Sequence, residues 1–309
     1  MPLIPIEPRR YRVAVCMVTP FAEGGRFDEG LVAGLVDRIA SQGLGLAIGT
    51  ASPGEGFALS LDETGRFFET VRRAAAGRVP VCAMGVEPRN ATQLAPIVRL
   101  AEQAQLDSMQ LYTLDPGHAM KLTELELERY FGTLLEKMTI PAAISTHHYN
   151  GLVPLAVLGR LLDRFPHIST LHCTSEVNYL HQLVELVAGR AEILVGGPMQ
   201  ALSTLAIGGQ GFLCSEGTIA PVVVGELQAA IRNGDHAAAL AAYQRVIGIF
   251  ALNVWPGGTV RFLKTAMKIL GIPGSHTRPP FEHLDAGAAE QARLAMRKLD
   301  LPEWRGRIA

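Results

Sequence analysis

The chain has 309 residues, of which 48% are hydrophobic and 18% are charged. This composition is typical of a folded protein with a large core and excludes a disordered chain. The formal net charge of −1 at pH 7 argues against nucleic acid or an acidic membrane surface as the main partner. The length suits one large α/β barrel or two ordinary domains.

The sequence also indicates the cellular compartment in which the protein is expected to work. No apolar run approaches the roughly 18 residues that span a bilayer, and residues 1–12 lack the apolar stretch of a secretory signal. The four cysteines, Cys16, Cys82, Cys173 and Cys214, lie far apart and form no CxxC pair. Reduced thiols are therefore expected. We predict a cytoplasmic protein with no membrane partner and no cofactor.

Eight short apolar runs are predicted strands. They cover residues 13–18, 46–49, 79–83, 108–112, 141–145, 170–173, 193–196 and 211–214. The first six begin about 30 residues apart, which is the size of a βα unit. The runs are continuous rather than alternating, as in strands buried on both faces. This pattern predicts a (β/α)8 barrel, whose active face lies at the carboxyl ends of its strands.

Helix signals lie between these runs. Ser60 and Thr123 each begin a capping box, because a glutamate follows three residues later. Asn90 is a predicted N-cap, and Pro96 predicts either a kink in the helix that follows or a later start for it.

The pattern changes after the eighth strand. Residues 222–232, 235–252, 259–270 and 286–299 are predicted helices with no strand between them. We therefore predict a barrel over residues 1–221 and a C-terminal helical appendix over residues 222–309.

Polar side chains gather at the end of the sixth strand. Because side chains alternate along a strand, His172 and Thr174 are expected to face the barrel interior and Cys173 the helices. By the same rule Ser145 and His147 share one face. His172 is a candidate acid–base catalyst, because the pKa of histidine lies near neutrality. The alternative is a neutral, hydrogen-bonded histidine in a pocket that has lost catalysis.

Polar residues also follow other strands. Gly49, Thr50 and Ser52 form a predicted anion cradle, since glycine lets backbone N–H groups converge, and an ordinary βα loop is the alternative. Glu55 is a candidate base. The predicted substrate-binding residues are Gly49, Thr50, Ser52, Asp115 and Glu216. A metal site is a further alternative, built from His118, His147 or His148, and His172, with Glu55 or Asp115. No HxH or HxxxH spacing supports it.

Several short motifs follow one another along the chain in the order and spacing found in a known protein family. They are Val15-Cys-Met-Val-Thr-Pro-Phe21, Gly49-Thr-Ala-Ser-Pro-Gly-Glu55, Phe57-Ala-Leu-Ser60, Gly208-Gly-Gln-Gly211 and Thr218-Ile-Ala-Pro221. Together they resemble the dihydrodipicolinate synthase/N-acetylneuraminate lyase family of class I aldolases over nearly the whole chain. The resemblance implies a barrel with a C-terminal helical domain, lyase activity on a small molecule, and a homotetramer or homodimer.

The departures from that family concern its chemistry. The resemblance implies a Schiff-base lysine on strand six, and His172 occupies its position. The lysines of the chain, Lys121, Lys137, Lys264, Lys268 and Lys298, lie at no predicted strand end. An imidazole cannot form an iminium, so class I aldolase chemistry is excluded at this position. Ser145 also replaces the family's strand-five tyrosine, and Thr113 the second tyrosine of a pair.

These departures predict a divergent lyase. It would act on a small carboxylated or 2-oxo-acid substrate by acid–base chemistry, with His172, Ser145, His147 and Glu55 as its catalytic residues. Two alternatives remain open. One is a non-catalytic ligand-binding or regulatory relative, and the other is a metal-assisted aldolase or hydratase.

Overall fold

A computed structural model describes residues 7–148, 151–254 and 258–308. Its eight barrel strands are β1 (Arg12–Cys16), β2 (Gly45–Ile48), β3 (Val81–Met84), β4 (Ser108–Leu111), β5 (Ala142–Ser145), β6 (Ile168–Cys173), β7 (Glu192–Gly196) and β8 (Gly211–Cys214). All pair in parallel with their neighbours, and β8 pairs with β1 to close the barrel. The predicted (β/α)8 barrel is confirmed.

The helices cover the outside of the barrel and then continue as the appendix. They are α1 (Val32–Ala40), α2 (Leu61–Ala75), α3 (Ala91–Gln103), α4 (Glu124–Leu135), α5 (Leu155–Arg164), α6 (Val177–Val187), α7 (Ala201–Ala206), α8 (Pro221–Asn233), α9 (His236–Phe250), α10 (Gly258–Ile269) and α11 (Ala286–Leu299). A two-stranded antiparallel ribbon, His147–His148 with Gly151–Leu152, follows β5. Within the described ranges, no helix combines the length and apolarity required to cross a membrane.

The core has two layers, because each strand is buried on both sides. The outer layer lies between strands and helices and contains most of the large apolar side chains. The inner layer fills the barrel with Ala14, Cys16, Ala47, Met84, Leu194 and Leu213. Two of these are alanines, so the interior is not filled by bulky branched residues as in many such barrels. Space is therefore left toward the carboxyl ends of the strands.

The capping residues predicted at three helix starts are confirmed. Ser60 Oγ accepts a hydrogen bond from Glu63 N at 3.1 Å, and Glu63 Oε2 accepts one from Ser60 N at 2.9 Å. Thr123 forms the same capping box at the start of α4, and Asn90 accepts from Gln93 N at 3.1 Å. Helix α3 begins directly after Asn90 and runs through Pro96, so the predicted later start is wrong.

Helix α8 joins the barrel to the appendix. Gln228 accepts a hydrogen bond from Val13 N at 2.7 Å and donates one to Gly43 O at 3.0 Å, which ties α8 to the barrel wall. On its other side α8 packs against α9. The predicted division between residues 221 and 222 thus falls at the start of a helix that contacts both parts, and it stays a prediction.

Candidate active site

A cavity of about 270 Å³ opens at the carboxyl ends of the barrel strands, beneath the end of α9. Its described wall consists of Cys16, Ser52, Pro53, Met84, Gln110, Tyr112, Ser145, His147, His172, Thr174, Gly196, Gly197, Pro198, Leu213, Cys214, Ser215, Glu216, Phe250, Asn253 and Thr259. This volume lies just below the about 300–1,000 Å³ of most ligand pockets, so the cavity suits a small molecule.

His172 lies on this wall at the end of β6. Its side chain is 7% exposed, and Nδ1 has no hydrogen-bond partner within the described residues. Its register partner on β5 is Ser145, so the two side chains are neighbours. Thr174 also lines the cavity, whereas Cys173 is buried in the outer layer of the core. The predicted orientation of this strand end is confirmed.

Burial makes His172 neutral. Loss of solvent, together with the positive charge of Arg12 deeper in the barrel, lowers the pKa of His172 to about 3. Arg12 is itself paired with Glu192, whose Oε2 accepts from Arg12 Nε at 2.6 Å. At neutral pH the imidazole can therefore accept a proton but carries no extra proton to donate.

Glu216 is the acidic group of the cavity wall. It is 2% exposed, and burial raises its pKa. The carboxyl group accepts hydrogen bonds from Ser215 N at 3.0 Å, Ser215 Oγ at 3.2 Å and Asn253 Nδ2 at 3.4 Å. Neither an arginine nor a lysine is found on the described wall, so no protein cation neutralises this carboxylate there.

Glu55 is a predicted catalytic base, but its side chain does not lie at the cavity. Glu55 is not part of the described cavity wall. Its Oε2 instead forms a buried ion pair with Lys264 Nζ at 3.1 Å. The loop after β2 turns the side chain toward the appendix, with Glu55 itself in a left-handed conformation (φ 54°).

The predicted anion cradle is also corrected. Thr50 Oγ1 accepts from Gly54 N at 2.8 Å, and Thr50 O accepts from Gly56 N at 2.8 Å. These N–H groups therefore close the loop on itself and do not converge on a ligand. Gly49 and Thr50 lie off the described cavity wall, while Ser52 lies on it.

Asp115 does not line the described cavity either. Its Oδ1 accepts from Gly117 N at 2.8 Å within its own loop. For the metal alternative, no three His, Cys, Asp or Glu side chains within residues 7–148, 151–254 and 258–308 are grouped so as to hold a metal ion, and the version that uses His148 stays a prediction. The His148 side chain lies outside the described part.

Of the predicted site residues, the cavity brings together His172, Ser145, His147, Ser52 and Glu216. Two groups of wall residues were missed from sequence. Gln110 and Tyr112 follow the alternation of β4 and could have been found from it. Asn253 and Thr259 belong to the appendix, and nothing in the strand pattern indicates that the appendix reaches the mouth of the barrel.

A closed eight-stranded parallel barrel with a polar cavity at the carboxyl ends of its strands is the architecture of the β/α-barrel enzymes. The model of the dihydrodipicolinate synthetase family matches residues 10–299. The chain therefore belongs to the dihydrodipicolinate synthetase family.

Named relatives cover nearly the whole chain. A 4-hydroxy-tetrahydrodipicolinate synthase of Cereibacter sphaeroides is 28% identical over 287 residues, which are 92% of this chain and 97% of the relative. Escherichia coli YagE, provisionally named a 2-dehydro-3-deoxy-D-gluconate aldolase, is 27% identical over 295 residues, 92% of this chain and 95% of YagE. Both names denote lyases.

Solved structures share the fold. The structure of Escherichia coli YagE in complex with pyruvate matches with a TM-score of 0.84 and 24% identity, covering 94% of this chain and 99% of YagE. A structure described as the first monomeric dihydrodipicolinate synthase variant matches with a TM-score of 0.85 and 17% identity, covering 96% and 99%.

Proposed function

We propose that this chain is a divergent lyase of its family that acts on a small carboxylated or 2-oxo-acid substrate by acid–base chemistry at His172, without a Schiff base. The observation that carries the proposal is the buried, neutral imidazole of His172 on the cavity wall, with Nδ1 unpartnered among the described residues. The pyruvate bound by the YagE relative supports the substrate class.

The lysines support a route without an iminium. The most deeply buried one, Lys264, pairs with Glu55 and also donates to Thr19 O at 2.5 Å and His276 O at 2.9 Å. Its amine is therefore engaged away from the cavity. Since the described wall contains no lysine, a covalent adduct with a carbonyl substrate has no amine to form on there.

The proposed chemistry begins with proton removal next to a carbonyl group. The imidazole of His172 takes a proton from the carbon beside the carbonyl. The electron pair of that C–H bond forms the carbon–carbon double bond of the enolate, and the π pair of the carbonyl group moves to its oxygen. Hydroxyl groups of Ser145, Thr174 and Tyr112 line the same cavity and supply hydrogen bonds for the enolate oxygen. The negative charge that develops on the substrate stabilises the imidazolium and raises the low pKa of His172.

Binding without turnover is the second candidate function. One observation favours it: the described wall offers no arginine or lysine to neutralise an enolate oxygen. Hydroxyl dipoles alone stabilise such a charge less than a cation does. In this case the cavity would bind the same class of ligand and release it unchanged.

Cytoplasmic location and assembly into dimers or tetramers remain part of the proposal. Membership of the family supports assembly, while the monomeric variant with the same fold means that the fold does not fix the number of chains. Light scattering of the purified protein measures that number directly.

The test uses pyruvate, whose methyl protons exchange with deuterium faster than in buffer alone if the protein removes them. NMR of pyruvate in D₂O with the wild-type protein is expected to show exchange, and His172→Gln is expected to abolish it. His181→Gln is the matched control, because His181 lies exposed on α6 beside Glu185. Borohydride treatment with pyruvate is expected to leave the protein mass unchanged.

The other outcomes are equally distinct. A borohydride-trapped pyruvate adduct on a lysine would overturn the proposed chemistry. Pyruvate binding with no exchange above the rate of the buffer would favour the second candidate. Equal exchange in wild type and His172→Gln would remove His172 from the mechanism.

A further inference from the structure

Glu216 and Asn253 meet at one corner of the cavity, where the loop after β8 contacts the segment after α9. Asn253 Nδ2 donates to Glu216 Oε1 at 3.4 Å, which leaves Asn253 Oδ1 buried and without a partner in the described structure. Reversing the amide would place its oxygen against the carboxylate, so this orientation is the favourable one. The corner therefore presents hydrogen-bond acceptors to the cavity.

The rest of the described cavity wall offers no cation to balance the acceptor groups of Glu216 and Asn253. Gln110 Oε1, on the β4 side of the wall, is another buried acceptor that lacks a partner among the described residues. Glu216 is the one acidic side chain of the described wall, and neither an arginine nor a lysine lines that wall. Burial without a cation raises the pKa of Glu216, and a cation that binds beside the carboxyl group would stabilise its ionised form.

We propose that Glu216 and Asn253 form a subsite for a primary ammonium group, so that the ligand is a small amino-bearing molecule. An alkylammonium carries three N–H donors and no acceptor, which matches a carboxylate beside an amide oxygen. A hydroxyl would leave the charge of Glu216 uncompensated, and a carboxylate or phosphate would be repelled by it. Burial at this corner strengthens the charged contact relative to one in water.

This inference rests on the proposed function, because it takes the same cavity as the ligand site and refines its substrate class. A carboxylate on the same ligand must then lie away from Glu216. Ser52 and Ser145 offer neutral hydroxyl donors elsewhere on the wall, and His147 is exposed at the mouth. The ligand is therefore expected to be zwitterionic, with an amino group at the buried corner.

The test compares pairs of ligands in which one member carries an ammonium group and the other a hydroxyl group at the same position. The probes are ω-amino acids of three, four and five carbons and the corresponding ω-hydroxy acids, titrated by calorimetry. In wild type the best amino acid is expected to bind at least about 10-fold more tightly than its hydroxy partner. Glu216→Gln keeps the shape of the side chain and is expected to remove this preference.

Controls separate charge from folding. Glu226→Gln removes a carboxylate that pairs with Arg245 on the surface and is expected to keep the full preference. Asn253→Ala, which alters a turn residue outside the barrel core, is expected to weaken amino-acid binding more than hydroxy-acid binding. It keeps the inference testable if Glu216→Gln does not fold.

Equal affinity of wild type for the amino and hydroxy probes, or an unchanged preference in Glu216→Gln, would overturn the subsite. Pyruvate exchange by the wild type is measured separately. Exchange without an amino preference refutes the subsite alone. An amino preference without exchange refutes the proposed catalysis and leaves the subsite standing.

Discussion

Lys264 Nζ lies 3.1 Å from Glu55 Oε2, and the two side chains are 0% and 1% exposed. The ammonium also donates to Thr19 O, Gly274 O and His276 O. One cation thus joins the loop after β1, the loop after β2 and the appendix. Because the β2 loop also carries Ser52 on the cavity wall, this pair fixes one side of the site.

Lys264→Met is expected to lower the free energy of unfolding by about 3–5 kcal/mol, since it leaves a buried carboxylate and three carbonyl groups without their cation. Glu55→Gln should cost less, because Lys264 keeps its three carbonyl acceptors. Urea unfolding measures both variants. Lys298→Met, at an exposed position on α11, is the matched control and should change stability little. A larger loss in Glu55→Gln than in Lys264→Met would contradict this account.

His172 makes stability depend on pH. Its folded pKa of about 3 lies below the usual value of about 6.5, so the unfolded chain binds the proton more tightly. Stability contributed by the neutral histidine is therefore lost as pH falls through about 6.5 toward 3.

The comparison of wild type with His172→Gln isolates this effect. Between pH 6 and pH 4 the stability of wild type is expected to fall relative to the variant by about 1.4 kcal/mol per pH unit. Glu55 and Glu216, whose pKa values burial raises, act in the opposite direction but are present in both proteins. Parallel stability curves would show that His172 is not buried in its neutral form.

Arg278 holds the appendix to the start of α2. Its guanidinium donates to both carboxylate oxygens of Glu63, at 2.8 and 2.7 Å, and lowers the pKa of Glu63 to about 2. Arg278→Ala is expected to cost about 1–3 kcal/mol at pH 7. The stability that this pair supplies is present above the ordinary glutamate pKa and is lost as pH falls through about 2.

Unfolding at pH 7 and at pH 2 tests the Arg278 prediction, since the cost of Arg278→Ala should shrink on acidification. Arg305→Ala is the control, because Arg305 pairs with Asp300 on the exposed surface and should contribute less than about 1 kcal/mol. Equal costs for the two variants would show that the half-buried position of Arg278 adds nothing.

The buried thiols are expected to resist alkylation. Burial raises the pKa of Cys16 to about 12 and that of Cys173 to about 11, so less than about one thiol in a hundred is ionised at pH 8. Iodoacetamide should modify neither in the folded protein and all four cysteines in urea, as read by mass spectrometry. Rapid labelling of Cys16 without denaturant would mean that the cavity is wetter than its wall indicates.

The sequence alone determined the barrel and the helical appendix. Strand runs, capping boxes and turn residues are local signals, because each depends on neighbours a few positions away. The alternation rule also placed His172 and Thr174 inward and Cys173 outward, since a strand has a strict period of two. Those predictions needed no knowledge of distant contacts.

Only the tertiary structure decided which polar strand-end residues share the cavity. Glu55 and Thr50 follow the same strand as Ser52, yet a buried lysine from α10 and the loop's own N–H groups engage them. Asn253 reaches Glu216 from the appendix. The direction of a side chain in a loop depends on partners that are remote in sequence, because most buried polar groups are hydrogen-bonded.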